Sequence, residues 1–160
     1  MILYHGSNVT VEQPKILTAL RALDFGAGFY MTSSREQAVK WAKSVTRRRG
    51  NGQPTLNIYE FNNSNYIKVL CFETADDEWL VFVVRNRRNI HYEYKYDLVI
   101  GPIANDTTLR VIDDYMDGIY TKDEAVKRLL QQRFTDQYAF LTEQAISLLR
   151  YKECEIYEQS

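Results

Sequence analysis

Along this chain the hydrophobic positions switch between alternating and helical periods, and each switch marks a new element. Residues 2–5 (ILYH) are a short apolar run that stops at Gly6-Ser7, as a strand stops at a turn. Phe29-Tyr30-Met31-Thr32 predicts a second strand, entered through Gly26 and Gly28. Ser33 or Ser34 then caps a helix, because Glu36-Gln37 stand in its first turn and Ala38, Trp41, Ala42 and Val45 recur at helical spacing. The charged, breaker-rich segment Arg47-Arg48-Arg49-Gly50-Asn51-Gly52-Gln53-Pro54 predicts an exposed loop. Residues 56–61 alternate as a half-buried strand does, and residues 66–70 follow an Asn/Ser turn, which predicts two adjacent antiparallel strands.

In the second half, residues 75–85 place Trp79, Leu80, Val83 and Val84 on one helical face, with Asp76-Asp77-Glu78 near its positive end. Residues 96–102 are a compact strand closed by Gly101-Pro102, with Asn105-Asp106 in the loop beyond, placed either to cap the next helix or to recognise an acceptor. Residues 107–117 and 122–134 carry helical spacing, residues 138–141 read as a late strand, and Thr142 caps a helix through Ala145, Leu148 and Leu149. Strands near both ends with helices interspersed indicate an α+β fold, one domain over residues 1–160, and not a doubly wound sheet.

Composition narrows the functional classes. Twenty basic against 21 acidic side chains leave a net charge of -1, which supplies no overall field for nucleic acid or an anionic membrane. The opening MILYHGSN lacks the basic start and apolar run of a secretion signal, and no apolar stretch approaches the roughly 20 residues that span a bilayer. A cytoplasmic protein with no membrane partner is expected. Cys71 and Cys154 lie far apart without CxxC or His-rich spacing, so they read as free thiols, with no metal site. Twelve tyrosines suit either a cleft for a ring-bearing ligand or the edges of sheets.

Two places concentrate candidate chemistry. His5 sits where an apolar strand meets a small-residue turn, as either a buried structural histidine or a ligand contact. Asp24-Phe25-Gly26-Ala27-Gly28-Phe29-Tyr30 sets two glycines before an aromatic strand, which permits close approach of a ligand. It matches neither GxGxxG nor a P-loop, since the Lys-Ser/Thr pair is missing.

Taken together these segments resemble the ADP-ribosyltransferase superfamily, on the branch of the poly-ADP-ribose polymerases and diphtheria toxin. Tyr4-His5-Gly6-Ser7 is similar to that branch's His-Gly-Ser/Thr motif, and Gly26-Ala27-Gly28-Phe29-Tyr30-Met31-Thr32 to its Gly-x-Gly-x-Tyr-Phe motif. Trp41 stands on the following helix where the family has a second aromatic, and Asp136-Gln137-Tyr138-Ala139-Phe140 resembles the Asn-Glu-Tyr strand. Asp-Phe-Gly-x-Gly-Phe-Tyr and Tyr-Asp-x-Val-Ile-Gly-Pro-x-Ala-Asn-Asp are similar to segments of an uncharacterised bacterial group, often encoded beside a small partner as in toxin–antitoxin pairs.

The resemblance implies a split antiparallel β-sheet core flanked by helices, and an NAD-dependent mono-ADP-ribosyltransferase, toxin-like, with a protein or nucleic-acid acceptor. NAD would be the co-substrate, with no metal. His5 would bond a ribose hydroxyl, Gly6 would grip the nicotinamide carboxamide through its main chain, and Tyr30 and Trp41 would sandwich the ring. Ser7, Gly28 and Ser33 would complete the donor site, and Asp24 would meet the adenosine ribose or stand solvated. Gln137 occupies the place of the catalytic glutamate; it accepts a hydrogen bond but brings no charge. That departure favours single transfer or slow NAD hydrolysis over chain elongation, or a noncatalytic binding module, with Glu143 as the substitute carboxylate to consider. Ala38 replaces a serine that bonds the carboxamide in relatives, leaving Ser33, Ser34 or Gln37 to compensate. Arg47-Arg48-Arg49 would meet either solvent, pyrophosphate or a nucleic-acid acceptor. An RNA-repair phosphotransferase of the same fold would instead require paired arginines and histidines at the cleft.

Overall fold

A computed structural model describes residues 1–16, 23–88, 95–104 and 106–160, and among these it has two sheets and five helices, an α+β arrangement. The first sheet, in the order β1-β3-β7, comprises β1 (Ile2–Ser7), β3 (Thr55–Phe61) and β7 (Leu149–Ile156), all antiparallel. The second, in the order β2-β6-β5-β4, comprises β2 (Phe29–Met31), β6 (Asp136–Phe140), β5 (Leu98–Pro102) and β4 (Val69–Cys71). One antiparallel bridge, Tyr4 to Thr32, joins the sheets through hydrogen bonds of 2.9 and 3.0 Å.

Apolar side chains cluster where these layers meet. Leu3, Phe29, Met31, Tyr59, Phe61, Leu98, Phe140 and Ile146 pack between the sheets. On the other face of the second sheet, Val99 and Ala139 pack with Phe25, Trp79, Leu80, Val83, Ile112 and Leu129. Phe25 comes from the loop before β2, and the others from α2 (Asp77–Arg88), α3 (Asp106–Met116) and α4 (Lys122–Leu130). Trp79 is fully buried, and its Nε1 donates to the Pro102 carbonyl at 3.1 Å, so the ring enters the core without an orphan donor. Helix α1 (Arg35–Arg49) covers the first sheet through Ala38, which packs with Leu56 and Ile58.

Four expectations are corrected here. Arg47, Arg48 and Arg49 are not loop but the last turn of α1, where cations suit the negative helix end; Gly50, at φ 71°, closes the helix with its N–H on Thr46. Residues 66–70 do not pair with β3: the chain crosses to the second sheet, where β4 runs parallel to β5 through α2, making that sheet mixed. Asp97 draws the chain there, accepting from the Lys68 N–H at 2.7 Å and the Thr142 hydroxyl at 2.8 Å. The helix capped by Thr142 is only α5 (Glu143–Ile146), and Leu149 opens β7, a strand absent from the sequence reading. Helix α4 stops at Leu130, short of residue 134. Asn105 lies outside the described residues. Cys71 and Cys154 are free thiols, and among the described residues no helix is long and apolar enough to cross a membrane.

Candidate functional site

The gap between the sheets opens beside the Tyr4–Thr32 bridge. Successive residues of a strand direct their N–H and C=O groups to opposite edges. Tyr4 spends its groups on Thr32, so Gly6, two residues on, presents its own along the same edge, past the bridge, where no strand among the described residues pairs with them. Gly6 is also where α1 touches β1: a Cβ there would stand 2.1 Å from the Ala38 carbonyl oxygen and 2.6 Å from the Ala42 nitrogen. Only glycine allows both the helix contact and the open edge.

His5 lies between them. Its Nδ1 donates to the Tyr30 carbonyl at 2.7 Å, and its ring stacks on Phe29 at 4.2 Å. Burial lowers the imidazole from 6.5 to about 4; the bond to Tyr30 opposes this and the charge of Arg49 adds to it. His5 is therefore neutral at physiological pH, with Nδ1 protonated and the Nε2 lone pair available as an acceptor.

Tyr30 projects from β2 away from Phe29 and Met31, which face the core between the sheets. Its hydroxyl donates to the Gly26 carbonyl at 2.6 Å and accepts from the Phe25 N–H at 3.1 Å, pinning the loop before β2. Gly26 has φ 95°, which a side chain would resist. Gln137, on β6, is 3% exposed, and its Nε2 has no hydrogen-bond partner among the described residues, unlike nearly all buried polar atoms.

These residues line one cleft of about 700 Å³ together with Asp24, Gln37, Trp41 and Ser44. Three cations line it as well: Lys40, Arg48 and Arg87. Asp24, the one carboxylate among the described residues of that lining, pairs with Arg87 at 2.9 Å, and Arg87 also reaches Asp113 at 3.2 Å. Asp24 is thus neither solvated nor unclaimed. A family model described as "Protein of unknown function (DUF3990)" matches residues 1–151. The chain belongs to the DUF3990 family. No curated protein matches it.

In this DUF3990 chain, His5, Gly6, Asp24, Tyr30, Trp41 and Gln137 share the cleft, whereas Ser7, Gly28 and Ser33 do not line it. Ser7 is buried opposite Thr55. Gly28 packs on β6, where a Cβ would stand 2.7 Å from the Phe140 carbonyl oxygen. Ser33 holds Asp136 through both its N–H and its hydroxyl, while Thr32 donates to the same carboxylate at 3.0 Å. Ser34 caps α1. Glu143 is exposed in the first turn of α5, outside the cleft, and Ala38 is buried under α1. Arg87 was missed by the sequence reading; its partner Asp24 is 63 residues away, and its only local mark is a place in the basic last turn of α2.

Proposed function

We propose that the cleft binds NAD and that the protein is a mono-ADP-ribosyltransferase with an ADP-ribosyltransferase-like split sheet, breaking the nicotinamide–ribose bond and passing ADP-ribose to a macromolecular acceptor. The observation that carries this reading is the buried, unpartnered Nε2 of Gln137 in the same cleft as the open main-chain edge of Gly6. An orphan donor costs about 1–3 kcal/mol unless something satisfies it, and a ligand oxygen does so. The cleft volume lies within the roughly 300–1,000 Å³ usual for small-molecule sites.

Each group has a matching task. The N–H and C=O of Gly6 complement a carboxamide, which both accepts and donates. Tyr30 and Trp41 offer flat faces to the nicotinamide ring, and holding it fixes the glycosidic bond for attack. The Nε2 of neutral His5 accepts from a ribose hydroxyl, and Gln137 donates to the oxygen of another. Because Gln137 brings no negative charge to the oxocarbenium-like state, turnover should be slower by about 10²–10³ than with a carboxylate there. Resemblance extends the proposal to a cytoplasmic, toxin-like enzyme restrained by a small partner protein.

The test is nicotinamide release from NAD, followed by chromatography. His5→Ala and Tyr30→Ala should each lower it by at least about 10²-fold, with both variants still folded by circular dichroism. Unchanged turnover in both would sink the proposal. The neutrality of Gln137, with Asp24 already claimed by Arg87, favours one alternative: a noncatalytic NAD-binding module. Calorimetric NAD binding without nicotinamide release on prolonged incubation would select it.

A further inference from the structure

The helix that walls the cleft is charged quite differently from the chain. Over Arg35–Arg49 six basic residues face one acidic residue, Glu36, although the whole chain carries -1. Arg35 is neutralised by Glu155 and Lys40 by Glu36, and Arg49 donates to Asn8. Lys43, Arg47 and Arg48 have no carboxylate partner among the described residues. Arg47 and Arg48 are exposed, and Arg48 lines the cleft two turns along from Lys40. The result is a cationic ridge beside the opening, where a polyanion could be followed charge by charge.

Among the described residues that line the cleft, none is suited to removing a proton from an acceptor. Asp24 is paired with Arg87, Gln137 is neutral and offers an unsatisfied donor, and His5 has its Nδ1 engaged and its basicity depressed by burial. Hydroxyl and guanidinium acceptors must lose a proton as they react. An acceptor that is already anionic need not.

Resting on the NAD reading, we infer that the acceptor is the terminal phosphate of a single-stranded nucleic acid, led into the cleft along Arg47 and Arg48. A phosphate monoester has a second pKa of about 6, so it is mostly a dianion at neutral pH. One of its oxygens forms the bond to ribose C1′ as the C1′–N bond breaks and its electron pair leaves with neutral nicotinamide. No proton moves, and the product is an ADP-ribosyl phosphodiester. The Nε2 of Gln137 suits this chemistry, since a carboxylate at that position would repel the incoming phosphate. A carboxylate on a protein would meet the same interior, but a nucleic-acid strand repeats its charge at every nucleotide and so supplies a phosphate for Arg47, outside the cleft, whatever its sequence.

The experiment uses the full chain with labelled NAD and single-stranded RNA and DNA oligonucleotides, each prepared with phosphate at both ends or at neither. Mass spectrometry should find one ADP-ribose on the phosphorylated strands only, removed together with the terminal phosphate. R47A/R48A should raise the KM for the oligonucleotide and lower the slope of log affinity against log salt by about 1.4, two single-strand contacts' worth. Equal labelling of phosphorylated and unphosphorylated strands, label confined to protein in a lysate, or an unchanged salt slope in the variant would each overturn the inference. Nicotinamide release without transfer to any strand would overturn it and leave the NAD reading standing. Absence of both NAD binding and nicotinamide release would remove that reading as well.

Discussion

Of the two walls of the cleft, the one built from strands carries no formal charge at neutral pH, and main-chain contacts set most of its groups: His5 on the Tyr30 carbonyl, Tyr30 on residues 25 and 26, Gly6 against the backbone of α1. The wall built from helices presents Lys40, Arg48 and Arg87 on long side chains, two of them tied to carboxylates and the third to none among the described residues. Such side chains adapt at little cost, whereas a group fixed by backbone moves only if the fold moves. The strand wall can therefore hold a defined geometry, while the helix wall can be altered without disturbing it.

The comparison is tested most severely at Gly6. Gly6→Val would drive its Cβ into main-chain atoms of Ala38 and Ala42, so it should cost about 3 kcal/mol or more in urea unfolding. Arg48→Ala, on the exposed helix wall, should stay within about 0.5 kcal/mol. Similar costs for the two would erase the distinction between the walls.

A smaller effect comes from pH. The His5 imidazole lies near 4 in the folded chain against 6.5 when exposed, so the unfolded state binds the extra proton between those values. Stability should be complete above about pH 6.5 and fall as pH drops toward about 4, by up to about 3 kcal/mol. His5→Phe should flatten that part of the profile, and an unchanged slope would show that His5 is not held neutral by its surroundings.

Smallest is Gln137→Met. It removes an unsatisfied buried donor at nearly constant volume, so the ligand-free protein should gain about 1 kcal/mol while NAD binding weakens. A loss of stability instead would mean that Gln137 serves the fold and not a ligand.

The sequence made the interior strands readable because each has at least one buried face: residues 56–61 alternate clearly, and residues 98–100 are an unbroken apolar run. Strand β7 escaped because it is an edge strand, with Arg150, Lys152 and Glu153 exposed along it and a bulge opposite Ile58 and Tyr59. Its apolar period is lost, and Leu148-Leu149 extends the preceding helical pattern. The parallel partner of β4 was hidden for another reason: three residues, mostly exposed, do not encode a direction. At the site, His5, Tyr30 and Gln137 were legible as motif positions, but the engagement of Asp24 by Arg87 depends on α2 returning to the loop before β2, which no local pattern records.

The place of β6 has a bearing on how the molecule is made. β2 enters the second sheet only through β6, and the Thr32–Asp136 bond that helps fasten them joins residues 104 positions apart. During synthesis the first half of the clamp, His5 through Tyr30, must wait for most of the chain before its opposite strand exists. Closing so long a loop is slow compared with forming a local helix. A nascent chain therefore lacks the complete cleft lining until Gln137 takes its place.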